Sequence, residues 1–237
     1  MISDNAGAAL ERLLRAATGQ HGGGPLPWVA APLQEADRVL DLDCGSGPLA
    51  DELRPGHWAG VARAGAGGER RPQVRGAPTA LPIRTNAVDA VCLLLTLPHL
   101  ADLDDVFAEI RRVLRPGGTL VTVVPSVSMR SVRDWQLARL LRPVRRGAWR
   151  NRSGLDGAGW LLAAADFAVL GDDRARFALP IPDAETAARA VTDLTVAGIW
   201  PPGLPATVRA HLAQELGRRA GSGQVLPIPL RRLTARR

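Results

Sequence analysis

Apolar residues along this chain fall into two recurring patterns, short unbroken runs and sets spaced three and four apart. The runs read as buried strands and the spaced sets as helices with one apolar face. Arg38 to Leu42 opens the series, His57 to Val61 is a weaker second strand and Val74 marks a short third. Ala87 to Thr96 and Thr119 to Val124 are continuously apolar, as central parallel strands are. Between them, Pro48 to Leu53 predicts a short helix. Asp102 to Leu114 predicts a longer one, with Leu103, Val106, Phe107, Ile110 and Val113 on one side. The glycine-rich stretch ARAGAGGERRPQ, from Ala62 to Gln73, predicts little helix where one is due.

The ends of the chain add helices. Ser3 or Asp4 is placed to cap a first helix running through Ala17, with Leu10, Leu13 and Leu14 inward, and the Gly19 to Pro27 run ends it. Beyond Pro125, Asp134 to Leu141 reads as helical. Phe167 to Leu170 and Arg176 to Leu179 read as two strands around a turn at Gly171-Asp172-Asp173. Helices follow over Ala184 to Ala197 and Ala206 to Ala220, separated by WPPGLP, and Leu226 to Leu233 is the last strand. Such alternation predicts an α/β fold, a doubly wound and mostly parallel sheet covered on both faces. No internal repeat or linker divides the chain, so one domain over 1–237 is expected: a helical cap (1–30), a core (38–125) and later helices and strands (126–237).

Composition narrows the setting. No apolar run reaches the roughly 18 residues of a membrane span, and the N-terminus does not read as a secretory signal. Cys44 and Cys92 both fall at predicted core strand ends, so a disulfide framework is not expected and a cytoplasmic location is. Four scattered histidines and two cysteines show no metal-ligand spacing, and no metal is expected. The net charge is +7, all of the basic residues being arginine. Arg139, Arg142, Arg145, Arg146, Arg150 and Arg152 lie among Trp135 and Trp149. The first reading of that run is a solvated face whose stems cover apolar surface; a nucleic-acid surface is the lesser reading.

Three strings carry chemistry. VLDLDCGSGPLA (Val39 to Ala50) places a glycine turn after the first strand; ALPIRTNAVDAV runs from Ala80 to Val91; RRVLRPGGTLVTVVP runs from Arg111 to Pro125. In the last, Pro116 stops a helix and Gly117-Gly118 permit a tight turn into a strand. In order and spacing, these strings resemble the small-molecule type of class I S-adenosylmethionine-dependent methyltransferases, whose strings run VLDLGCGTG, GDAxxLPFxDxSFD and RVLRPGG. The resemblance covers Arg38 to Pro125. It implies a Rossmann-like, seven-stranded sheet whose final strand lies antiparallel at an edge. It also implies S-adenosyl-L-methionine as cofactor and a small-molecule substrate.

Carried over position by position, the resemblance puts Asp41 at the family's acidic position and Gly45 and Gly47 at two of its glycines, with Cys44 just before them. Ile83 would lie beside the adenine. His99, in LPHLAD, would lie near the substrate as a base toward a hydroxyl, or as a brace for its loop. Three positions depart. Asp43 stands at the first glycine position, either near the cofactor or turned away as a cap. Ala62 stands where a carboxylate should accept from the ribose hydroxyls, and Ala77 where an aspartate should meet the adenine amino group. A lost buried acceptor costs about 1–3 kcal/mol. Arg63 invites an anion instead, and Gly45-x-Gly47-x-x-Ala50 formally fits a dinucleotide fingerprint as well. The expected function is a methyltransferase acting on a small molecule, with a non-methylating use of the same fold (a partner-binding scaffold, or other small-molecule chemistry) as the alternative. Trp149, Trp160 and Trp200 suit either an apolar, flat substrate or the core.

Overall fold

A computed structural model describes residues 4–19, 22–62, 71–126 and 137–237. Ser3, Arg63, Trp135, most of the glycine-rich stretch and the first part of the helix expected from Asp134 lie outside the described residues. Eight strands form one sheet: β1 (Thr18–Gly19), β2 (Val39–Leu42), β3 (Trp58–Ala62), β4 (Gln73–Arg75), β5 (Val88–Leu94), β6 (Leu114–Pro125), β7 (Ala168–Pro180) and β8 (Val225–Arg236). Their order is β1-β7-β8-β6-β5-β2-β3-β4. The five from β6 to β4 run parallel; β8 pairs antiparallel with β6 and β7, and β7 with β1. The eighth strand, beyond the seven expected, is the two-residue β1.

Period-two alternation divides the core between the faces of this sheet. Along β5, Ala90, Cys92 and Leu94 join one cluster while Val91 and Leu93 join the other. The first cluster is covered by helices α1 (Asp4–Ala16), α2 (Pro25–Ala30), α6 (Ala184–Val196) and α7 (Ala206–Arg218). The second is covered by α3 (Leu103–Val113) and α5 (Ala158–Ala164); α4 (Arg142–Arg146) lies between α3 and α5 in the chain. The five apolar positions foreseen on α3 are all buried.

Four expectations need correction. The final strand is not at an edge, because β7 pairs along it for its whole length. The segment around Gly171-Asp172-Asp173 is no turn but the interior of β7. Asp172 takes two 2.8 Å hydrogen bonds from Arg231, and Asp173 one of 2.8 Å from Arg232, both arginines on the paired strand. These cross-strand ion pairs hold extended a stretch whose residue types favour turning. Pro116-Gly117-Gly118 does not separate helix from strand either: β6 starts at Leu114, paired with Val88, and the next β5 residue in register, Ala90, meets Thr119. The turn is thus a bulge inside the strand, with Gly117 at φ 76°. Finally, the helix after the glycine turn is one 3₁₀ stretch, Pro48–Glu52. Pro55 disfavours helical geometry at Arg54, and Leu53 is already extended.

Candidate functional site

The chain passes from β2 outward to β3 and β4, then returns to the other side of β2 as β5 and β6. Strand order therefore reverses between β2 and β5, and the crevice beyond their carboxyl ends is where open parallel sheets bind ligands. Both ends carry non-glycine residues in the left-handed region, Asp43 at φ 57° and Leu95 at φ 61°. Such strain costs of order 1–3 kcal/mol and gathers at functional sites.

Asp41 is 1% exposed. The indole N–H of Trp58 donates to its Oδ2 at 3.4 Å, while its Oδ1 has no hydrogen-bond partner among the described residues. Burial, partly offset by the Trp58 bond and reinforced by the charge of Asp43, pushes the Asp41 carboxyl up to about 7. Burial likewise raises the thiols of Cys44 and Cys92, so neither is poised as a thiolate.

The glycine loop is closed over by the chain itself. A Cβ on Gly45 would stand 2.9 Å from Gly7 Cα in α1, and one on Gly47 would stand 2.6 Å from the Trp58 ring. The missing side chains make room for α1 and for an indole. Ser46 Oγ donates to the Gly7 carbonyl at 3.2 Å, and Gln73 Nε2 to that of Gly45 at 3.1 Å. Arg71 ties three parts together: it donates to Ser46 O at 2.8 Å, to Asp51 at 2.6 Å and to both carboxylate oxygens of Glu11. Burial works against Glu11, yet hydrogen bonds from Arg71 and Arg15, with the Ser46 hydroxyl beside it, bring it down to about 2.

At the far side, Ala62 contributes only a carbonyl, which accepts from Gly76 N–H at 3.1 Å. Ala77 is exposed and bridges to Ala80. Ile83 is half-buried against the second core cluster, and its carbonyl accepts from Arg112 at 2.8 Å. Arg112 also holds the Leu81 carbonyl at 3.0 Å, while Glu109 accepts from the Leu81 N–H at 2.7 Å. That loop is thus pinned by α3.

His99 ends a 3₁₀ turn, Leu97–His99, after β5. Its Nε2 lies 2.9 Å from the Gly198 carbonyl, which must accept, so Nε2 carries the proton and Nδ1 holds the lone pair. Burial lowers its pKa, against the opposing effects of Gly198 and Asp43, and the ring is neutral at neutral pH. Its ring centroid is 5.2 Å from that of Trp149. Trp149 and the buried Trp200 line a cavity, whereas Trp160 is 73% exposed and belongs to neither core nor cavity. Sequence reasoning missed Trp58, Arg71, Gln73 and Arg112: each acts across more than ten residues of chain, and no local pattern marks such a contact.

Residues 40–122, from β2 into β6, match the methyltransferase domain family. The demethylmenaquinone methyltransferase of Mycolicibacterium gilvum (strain PYR-GCK) is 38% identical over 99 residues, 39% of this chain and 43% of that protein. The protein of the same name from Mycobacterium marinum (strain ATCC BAA-535 / M) is 37% identical over 92 residues, 36% of this chain and 40% of that one. The chain thus spans about two-fifths of the length of these curated relatives. Among solved structures, the [4+2]-cyclase SpnF superimposes with a TM-score of 0.58 at 18% identity, over 99% of this chain and 93% of that one. Geranyl diphosphate C-methyltransferase from Streptomyces coelicolor A3(2), solved with S-adenosyl-L-homocysteine, gives 0.51 at 14%, over 90% and 79%.

The fold is that of the class I methyltransferases. Within it, the residues present fit S-adenosylmethionine at one end. Asp41 Oδ1 is a buried acceptor without a donor among the described residues, and matches the chemistry of the cofactor's ammonium. At the other end, Ala62 and Ala77 present methyl groups and no carboxylate at the two positions where the family resemblance expects acceptors. Among the described residues, no helix is long and apolar enough to cross a membrane, and no cluster of three metal-ligating side chains is found.

Proposed function

We propose that this protein is an S-adenosylmethionine-dependent methyltransferase acting on a small molecule. The observation that carries the proposal is the Asp41 oxygen left without a partner among the described residues at the strand-order reversal, inside the stretch that matches the methyltransferase family. Asp41 would hold the methionyl ammonium, with Asp43, Cys44, Gly45 and Gly47 forming the loop beside it. Ile83 and the backbone at Ala62 and Ala77 would bound the adenosyl part. When bound, the cofactor supplies an electrophilic methyl group on a sulfonium. The chain's own work is to place an acceptor in line with that group and to keep water away. His99 is assigned a positioning role: its Nε2–H fastens the turn after β5 to Gly198, and its ring backs Trp149.

The sequence relatives are named for demethylmenaquinone, but the shared stretch is a minor part of this chain, so the acceptor is left to the pocket's own chemistry. Irradiation of the protein with methyl-tritiated S-adenosylmethionine, followed by peptide mapping, tests the site. The reading expects label on the peptide that contains Asp41 to Gly47, competed by S-adenosylhomocysteine. Label elsewhere, or none that competes, overturns it.

A further inference from the structure

Three neighbouring strands place one row of residues beside the glycine loop. Asp41 of β2 is in register with Gly60 of β3, and Gly60 with Gln73 of β4, so the three share a face of the sheet. Gly60 is the gap in that row. A Cβ there would stand 2.7 Å from the Trp58 ring and 3.1 Å from Gln73 Cγ, so its missing side chain lets Gln73 lean across β3. The carboxamide of Gln73 arrives at both loop glycines. Its Nε2 donates to the Gly45 carbonyl at 3.1 Å and lies 3.4 Å from where a Cβ on Gly47 would be.

That bond fixes which way the amide faces. A carbonyl only accepts, so the nitrogen of Gln73 is spent on Gly45 and its Oε1 is turned away, with no hydrogen-bond partner among the described residues. Elimination then singles this oxygen out. On the face of Asp41, β3 presents Trp58, Gly60 and Ala62, and β4 presents Gln73 and Arg75, the last in register with Ala62. An indole, a hydrogen, a methyl group and a guanidinium offer no oxygen acceptor. Among the described residues of these two strands, Gln73 therefore carries the one side-chain acceptor on that face. The carboxylates of Glu11 and Asp51, which flank the loop, are already taken up by Arg71.

We infer that Gln73 takes the place of the carboxylate missing at Ala62, its Oε1 accepting from the ribose hydroxyls of a bound adenosyl ligand while its Nε2 keeps hold of the loop. The assignment rests on the methyltransferase reading. It makes Gln73 a positioning residue for the cofactor, since one carboxamide ties the loop and the ribose together. A neutral oxygen accepts a weaker hydrogen bond than a carboxylate does, so its contribution to affinity is a factor of about five.

Calorimetric titration of the whole, ligand-stripped chain with S-adenosylhomocysteine and with its 2′,3′-dideoxy analogue tests this, because the two ligands differ only in the ribose hydroxyls. The parent is expected to bind S-adenosylhomocysteine about fivefold more tightly than the analogue. Gln73→Met keeps an unbranched side chain over Gly60 and removes both polar atoms. It is expected to bring the ratio close to one, by weakening S-adenosylhomocysteine more than the analogue. Gln73→Asn, one carbon shorter, is a second variant expected to lose the ratio as well. Parallel weakening of both ligands with the ratio kept overturns the proposal and leaves Gln73 as a brace for the loop alone. A ratio and affinities that survive both replacements overturn it too, since the ribose acceptor then lies elsewhere. Equal binding of the two ligands by the parent overturns it as well. If neither ligand binds the parent, and millimolar ligand gives no thermal shift, the methyltransferase reading itself is overturned and this assignment with it.

Discussion

Replacing Asp41 by asparagine changes the pH dependence of stability in a way that can be worked out in advance. In the unfolded chain this carboxyl ionises near 3.8, whereas burial in the folded protein moves it to about 7. A carboxyl whose folded pKa is raised contributes stability below its unfolded value and loses it as pH climbs through the folded one. The interval is about 3 pH units, and at about 1.4 kcal/mol per unit the loss reaches roughly 4 kcal/mol above pH 7. The Asp41→Asn side chain carries no proton to lose, and its carboxamide oxygen keeps an acceptor for the Trp58 indole. The difference in unfolding free energy, Asp41→Asn variant minus parent, should therefore rise by about 1.4 kcal/mol per pH unit from 4 to 7 and then level off. Groups depressed in the fold, such as Glu11 and Glu109, titrate alike in both proteins and cancel. Urea titrations at half-unit pH steps from 4.5 to 8 measure this difference. A flat difference, or one falling with pH, would refute the claim that Asp41 is held in a dry site.

Other consequences concern the closures around the loop and the site. A methyl at Gly198 would lie 2.4 Å from His99 Nε2 and force a left-handed alanine, so Gly198→Ala should cost about 2 kcal/mol in urea unfolding and shift the fluorescence of Trp149; unchanged values would deny the contact. Ala62→Asp restores an acceptor at the end of β3 and should tighten S-adenosylhomocysteine about fivefold or more; no gain would place the ribose elsewhere. Arg71→Gln releases Glu11 and Asp51 together and should cost about 1 kcal/mol, with faster amide exchange in α1; unaltered protection there would mean α1 is held by packing alone.

The parallel half of the sheet was legible because its strands are short apolar runs and its main helix shows a clean apolar face. β5 and α3 fall within two residues of where hydropathy puts them. Where local chemistry and partner strands disagreed, the partner strands decided. Gly171-Asp172-Asp173 reads as a turn in isolation, and becomes strand once Arg231 and Arg232 lie opposite. The interior position of β8 depends on β7 and could not be read from β8 itself. At the site, the sequence located Asp41, Gly45, Gly47 and the two alanine departures. It could not tell that the glycines make room for Gly7 and Trp58, since that follows from how α1 and β3 pack.

The strain at Asp43 and Leu95 gives the site a physical signature independent of any motif. Two neighbouring strands end in left-handed non-glycine residues, and a buried acceptor between the turns has no donor among the described residues. A ligand that supplies a cationic donor would relieve the last of these and would pull the Asp41 proton off. Its binding should then strengthen as pH rises toward the Asp41 pKa.

The most direct test is calorimetric titration of ligand-stripped protein with S-adenosylhomocysteine at pH 6 and pH 8. The methyltransferase account predicts saturable binding of micromolar strength at pH 8, weaker at pH 6, with proton release detectable between buffers of different ionisation heat. Silent titrations at both pH values, with no thermal shift at millimolar ligand, would contradict it.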